Sequence, residues 1–330
     1  MIAGIAYARA GLLGNPSDGY FGKVLAISVK NFAARVVVEE SAELRILPSS
    51  EDGDRFASLR EFAMRTRLYG HYGGVRLIKA ALKRFHEYSL EAGLPIHDRN
   101  FSVRYESSIP RQVGLGGSSA IITAAMRAFM AYYGLSIPLE ILPSLVLSAE
   151  RDELDINAGF MDRVTQVYEG CVYMDLDSKR IAERGYGIYE RLDEALLPDL
   201  YLAYKPALGK ISGRVLNEIR MNYDKGDCHT INTLSKIAGL AEAGREALLR
   251  RDYETLSRLM DENFDLRRSI MTITRENDEL IETARSCGAS ATFAGSGGSI
   301  IGICRGETTF GRIAGELGKI GAIVVRPIVT

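Results

Sequence analysis

The chain has 330 residues, 46% of them hydrophobic and 25% charged, with 33 glycines, nine prolines, four cysteines and no tryptophan. That balance excludes a disordered, collagen-like or disulfide-stapled protein, and the length suggests about two domains, each able to bury its own core. Lys and Arg number 41 against 42 Asp and Glu, a net charge of −1, so nucleic acid is not an expected partner.

In chain order, Ile2 to Arg9 and Lys23 to Val29 are β-branched or apolar runs joined by a Gly/Asn/Pro/Ser/Asp turn, and Ala34 to Glu39 with Leu44 to Leu47 continue a strand-rich opening. Ser49 to Asp54 is a polar loop. Val75, Leu77, Ile78, Ala81, Leu82 and Phe85 recur at helical spacing, which predicts an amphipathic helix from about Gly74 to Leu90. Phe101 to Glu106 alternates as a strand. After a glycine loop, Ser118 to Tyr132 reads as a helix buried on most sides, because Arg127 is its one charge. Pro143 sits where a first helical turn tolerates it and opens a helix to about Glu153.

The texture changes near Ala195 to Pro198, which predicts a boundary between residues 1–194 and 195–330. Arg214 to Asn222, Asn232 to Arg250, Tyr253 to Arg268 and Asn277 to Ser286 carry helical periodicity with charged outer faces. Ala291 to Phe293, Ser299 to Cys304 and Ile320 to Val325 read as strands, with a helix from about Thr309 to Leu317. The expected fold class is α+β in two lobes, with extra helices in the second.

The sharpest local signal is Pro110-Arg111-Gln112-Val113-Gly114-Leu115-Gly116-Gly117-Ser118-Ser119-Ala120, leading from a strand into the apolar helix. Its glycines let several backbone N–H groups converge, and the helix N-terminus adds the positive end of its dipole, an arrangement suited to a polyanion. Of the hydroxyls Ser118 and Ser119, one is expected to cap the helix and the other to coordinate Mg²⁺ carried by phosphates. The loop is not a Walker A motif, since no Gly-Lys-Ser/Thr follows, nor a dinucleotide fingerprint, which needs glycine at Ser119.

Gly295-Ser296-Gly297-Gly298-Ser299 reads on its own as a tight hairpin or bulge, and Gly11 to Gly19 as a turn flanked by Arg9 and Lys23. Glu150 and Asp162 flank a small-residue loop, a placement that would let one carboxylate of a kinase hold Mg²⁺ and the other meet the acceptor hydroxyl. By spacing alone, however, Glu150 to Glu153 is a charged helix end. Cys171, Cys228, Cys287 and Cys304 are scattered, which predicts free thiols in a reducing compartment. No apolar run has membrane-spanning length and no leader pattern opens the chain, so a soluble, cytoplasmic protein without membrane partners is expected.

The Pro-x-x-x-Gly-Leu-Gly-x-Ser-Ser segment resembles the phosphate-binding motif of the GHMP kinases, and the other two glycine clusters fall where that family has its first and third motifs. Tyr7 to Asp18, Tyr72 to Leu77, Ile109 to Gln112 and Val146 to Glu150 look most like the plant-type glucuronokinases. The resemblance implies a ribosomal-protein-S5-like N-terminal lobe, a ferredoxin-like C-terminal lobe, ATP and Mg²⁺ as cofactors, and a sugar or uronic acid as substrate. It places Pro110, Gly114, Leu115, Gly116, Gly117, Ser118 and Ser119 on the nucleotide phosphates. Ser118 or Ser119, with Glu150, falls on the metal, and Asp162 on the acceptor hydroxyl as catalytic base.

Asp162 to Gly170 is expected, on the same resemblance, to be β structure ending in glycine. Arg9, Asn15 and Asp18 line the sugar side, Gly295, Ser296 and Gly297 shape the cleft, and Arg9, Arg76, Arg104, Arg111 and Arg163 are candidates for a substrate carboxylate. The implied reaction is phosphorylation of the anomeric hydroxyl of D-glucuronate. Galacturonate, galactose or a heptose are the alternative acceptors, and a non-catalytic sugar-binding regulator is the alternative role. Gly117 departs from the commoner serine, and Asn15-Pro16 from the Glu-His of galactokinase and mevalonate kinase.

Overall fold

The first two strands form the spine of the computed structural model, which describes residues 1–49, 52, 57–61, 64, 73–206 and 212–329. β1 (Ile2–Leu13) runs antiparallel along β2 (Lys23–Glu40), from Ile2 opposite Val38 to Leu13 opposite Leu25. The other edge of β2 is shared. β4 (Phe101–Ser107) pairs with its second half and β5 (Cys171–Asp175) with its first. β3 (Arg45–Ile46) extends β4 in parallel, and β6 (Ile188–Leu192) extends β5 antiparallel.

The runs read as separate strands at 23–29 and 34–39 are therefore one. The chain stays extended through residues 30–33, where the register with β1 shifts at Tyr7/Ala8. The far end of the molecule ties itself to this bulge: Lys30 N donates to Ile328 O at 2.7 Å, Asn31 Nδ2 to Arg326 O at 2.9 Å, and Ile328 N to Asn31 Oδ1 at 2.8 Å.

α1 (Gly74–Glu91), α2 (Gly117–Tyr133), α3 (Leu142–Leu154) and α4 (Met161–Tyr168) pack on this sheet and on one another. α2 buries Ala120, Ile122, Ala124, Ala125, Met126, Ala128 and Phe129, as its near-absence of charge predicts. Its one cation closes another helix, since Arg127 donates to the carbonyls of Gln166 and Val167 at 3.0 Å each and to Glu169 Oε1 at 2.8 Å. Asp52 accepts from Gly74 N at 2.6 Å and from the Tyr105 hydroxyl at 2.5 Å, fixing the start of α1.

One expectation fails here: residues 162–168 are not β structure. Met161, Val164 and Val167 recur at helical spacing; the first two bury with Val24, Ala26 and Val172 and the third joins the main core, so the segment forms α4 before Gly170, at φ +76°, turns the chain into β5.

Beyond α5 (Ser178–Arg184) the second sheet has the order β10-β7-β9-β8, made of β7 (Leu200–Tyr204), β8 (Thr292–Phe293), β9 (Ser299–Ile303) and β10 (Ile323–Val325). α6 (Ser212–Asp224), α7 (Cys228–Leu249), α8 (Tyr253–Ile270), α9 (Arg275–Ser286) and α10 (Gly306–Lys319) complete this two-lobed α+β arrangement. α7 also packs on β1 and β2, so it bridges the lobes. Tyr72 and residues 50, 51, 53 and 54 of the expected polar loop lie outside the described residues. All four cysteines are free thiols, and no helix among the described residues is long and apolar enough to cross a membrane.

Candidate active site

A cleft of about 1470 Å³ opens between the lobes. Arg9, Asn15, Asp18, Pro110, Arg111, Gly114, Leu115, Gly116, Gly117, Ser118, Ser119, Glu150, Asp162, Gly295 and Ser296 all line it, although they come from widely separated stretches of chain. Gly297 does not. A side chain there would face Asn277, whose Oδ1 accepts from Gly298 N at 2.8 Å.

The glycine loop and the third glycine cluster meet backbone to backbone. A Cβ on Gly295 would lie 2.0 Å from the Gly114 carbonyl oxygen, and one on Gly114, whose φ is +73°, 2.8 Å from that of Gly297. Only glycine permits this approach. Gly116, at φ +76°, is the N-cap of α2, and no side chain caps the helix. The expected serine cap is therefore absent: Ser119 turns back to donate to Gly116 O at 3.0 Å and is buried, while Ser118 is exposed at the cleft. The uncapped N–H groups of the first turn are left for a ligand.

Gly117 is a different case from its neighbours. Its φ is not positive, and a Cβ there would meet only Ile109, at 3.6 Å, an ordinary contact. Gly117→Ser should therefore leave the melting temperature within about 2 °C of the parent, since the change carries well under ~1 kcal/mol. Thermal unfolding beside steady-state kinetics checks this; a large drop in either would show that the serine of the commoner motif is excluded here.

Arg9 organises the centre. Its Nε donates to Asp162 Oδ1 at 2.6 Å, and its Nη1 to Gly114 O at 2.5 Å and Ala294 O at 3.1 Å. A single side chain thus joins β1, the glycine loop, the third cluster and the candidate base. Burial by itself would raise the Asp162 carboxyl, but Arg9 and Arg163, with help from the Ser119 hydroxyl, hold it below its usual value. Its side chain remains 17% exposed, open to the cleft.

Glu150 is not a solvated helix end. It is 1% exposed and its Oε2 takes both the Nε and the Nη2 of Arg163. Burial raises its carboxyl, and the paired Arg163 charge opposes that. Asp18 is likewise pushed up by burial, although it accepts from Met161 N at 3.1 Å.

Two residues that sequence reasoning missed support the Gly14-Asn15 turn and Gly295 from α8. Asn263 Oδ1 accepts from Gly14 N at 2.8 Å, and its Nδ2 donates to Asn15 O at 3.2 Å. Arg267 is fully buried, donates Nη1 to Gly295 O at 2.9 Å and stands 5.1 Å from the Phe293 ring centroid. That same carbonyl accepts from Asn15 Nδ2 at 2.8 Å. Both residues sit on a helix whose charges read as an outer face, so no spacing in the sequence marks them.

Comparison with known proteins assigns the family. Residues 76–170 match the model of the GHMP kinases N terminal domain and residues 245–322 that of the GHMP kinases C terminal. The chain is 43% identical over 327 residues to probable glucuronokinase 2 of Arabidopsis thaliana, covering 97% of this chain and 89% of the relative. It is 42% identical over 305 residues to glucuronokinase 1 of the same plant, covering 91% and 84%. The chain belongs to the GHMP kinases.

The fold of this kinase agrees with that of Streptococcus pneumoniae phosphomevalonate kinase, solved with phosphomevalonate and AMPPNP, at a TM-score of 0.77 with 18% identity over 99% of this chain and 100% of the other. The resemblance read from the glycine loop and the two-lobed α+β fold are thus both found.

Proposed function

We propose that this GHMP kinase transfers the γ-phosphoryl group of ATP to the anomeric hydroxyl of D-glucuronate, giving glucuronate 1-phosphate. The observation that carries the reading is the placement of Asp162, an ionised carboxylate on the cleft wall between the glycine loop and the Asp18 turn. The substrate follows from the two glucuronokinases to which most of the chain is similar.

In this reading the backbone of Gly114 to Ser119 and the open first turn of α2 receive the triphosphate. Ser118 fits a phosphate-borne Mg²⁺ better than Ser119, whose hydroxyl is engaged with Gly116 O, and Glu150 has Oε1 left after Oε2 meets Arg163. The metal would neutralise charge developing on the phosphates.

Asp162 accepts the proton of the 1-hydroxyl and aims its oxygen. A depressed carboxyl is a weak base, yet an anomeric hydroxyl is more acidic than an ordinary alcohol, and phosphoryl transfer through a loose transition state depends more on positioning and charge than on base strength. The arginines around Asp162 keep it ionised and oriented.

The test is Mg²⁺-dependent ADP release against D-glucuronate, D-galacturonate, D-galactose, D-glucose and a heptose. Glucuronate should give the highest kcat/KM. Turnover of neutral sugars with none of uronates removes the assignment, and sugar binding without ADP release favours a regulator.

A further inference from the structure

Most of the arginines that line the cleft already face its acids. Arg9 is taken up by Asp162, and Arg163 by Glu150 and, at 3.5 Å, by Asp162. Arg104 reaches Glu39 across the sheet and does not line the cleft. At the turn Asp18-Gly19-Tyr20, Asp18 faces the charges of Arg151 and Arg267, and Glu218, two positions before Arg220, also lines the cleft. Arg220 is close enough for its charge to act on Arg151.

Arg220 enters from the other lobe, on α6. Its Nη2 donates to Gly19 O at 3.1 Å, and its guanidinium carbon lies 4.7 Å from the Tyr20 ring centroid. Tyr20 in turn packs against Tyr223, centroids 4.6 Å apart. The acid paired with it is Asp224, one turn along α6 at 3.7 Å and 59% exposed, a solvent-screened contact that neutralises little. The group is therefore a planar cation held by a ring and a carbonyl, and it lines the cleft.

Arg76 and Arg111 also line the cleft, but from the phosphate side. Arg76 is on the first turn of α1 with its charge acting on Glu150, and Arg111 leads into the glycine loop. Asp18 is joined to the Asp162 helix through Met161 N and is followed by Gly19, so a sugar reaching from Asp162 past Asp18 would bring its C6 end toward Arg220.

We propose that Arg220 binds the carboxylate of the acceptor sugar and so sets the preference for a uronate over a neutral hexose. The inference rests on the uronate reading above. A guanidinium meets a carboxylate through two parallel N–H donors, and truncating one partner of such a pair removes a charge-assisted interaction that neutral sugars never make.

The experiment compares Arg220→Met, which keeps an apolar stem over Tyr20, and Arg220→Lys with the parent. Readouts are KM for D-glucuronate, KM for ATP, and competitive inhibition by D-glucuronamide, the uncharged isostere, with thermal unfolding to confirm the fold. The expected result for Arg220→Met is a rise of about 10- to 100-fold in KM for glucuronate, with inhibition by the amide and KM for ATP changed less than about threefold. Arg220→Lys should fall between, because it keeps charge without the fork.

An unchanged KM for glucuronate overturns the assignment, as does equal loss of glucuronate and glucuronamide in a folded variant. A selective rise in Arg111→Met or Arg76→Met with none in Arg220→Met moves the role to that residue and overturns it too. If the parent phosphorylates no uronate, it is the substrate reading that fails, which the parent enzyme alone reveals.

Discussion

Asp162→Asn lowers kcat by about 10²- to 10⁴-fold, the range expected for loss of a positioned proton-accepting group. Asparagine matches the size of aspartate and still offers a carbonyl oxygen to Arg9 Nε, now at 2.6 Å from the carboxylate. It cannot take a proton from the acceptor, and it leaves the Arg9 and Arg163 charges less compensated beside the transferred group.

The fold should survive, since Arg9 keeps the Gly114 and Ala294 carbonyls and Arg163 keeps Glu150 and the Gly159 carbonyl at 2.9 Å. The loss therefore belongs to kcat, with KM for ATP close to that of the parent, because the phosphate loop is untouched. Steady-state kinetics with a melting curve separates the two. Near-normal turnover by a folded variant takes Asp162 out of the chemistry.

Gly295→Ala strikes the contact between the two glycine loops. The new methyl would sit 2.0 Å from Gly114 O and 2.9 Å from Arg9 Nη1, hemmed in by backbone on one side and on the other by a guanidinium already tied to Asp162. Overpacking of this kind costs about 1–3 kcal/mol, which for a protein of this size is a fall of several degrees in Tm. Activity should fall further than stability, by about 10²-fold, the loss that a misplacement of about 1 Å brings when catalysis depends on orientation. Gly117→Ser, one loop away and open, is the matched control. Equal behaviour of the two substitutions would mean that the loop contact does not position the site.

The parts of this site that could be read from sequence are those built on local geometry. Clustered glycines between a strand and an apolar helix announce converging N–H groups whatever the fold, so Gly114 to Ser119 could be placed early. Spacing offers Asp162 as one of two carboxylates flanking a small-residue loop, the resemblance gives it the role of base, and the same resemblance misassigns the residues after it. The helix there is short and owes its form to burial of Met161 and Val164 against β2 and β5 and of Val167 in the main core, a tertiary cause that eight residues cannot advertise.

Glu150 read as a helix-end charge because its neighbours Arg151, Asp152 and Glu153 are charged; its buried partner lies thirteen positions away. Arg220, Asn263 and Arg267 stayed hidden for a related reason. Each sits on a helix of the second half among charges that do face water, and what distinguishes them is a distant backbone group, Gly19 O for Arg220, Gly14 N for Asn263 and Gly295 O for Arg267.

The tie between the last residues and the bulge of β2 has a mechanical meaning. Asn31 and Lys30 fasten the strand of one lobe to residues 326–328, which follow directly from the second sheet, while Gly295 and Gly114 press the lobes together at the cleft. With α7 packed on β1 and β2, the lobes are joined on both sides of the cleft, so its width is set in part by residues far from any bound nucleotide.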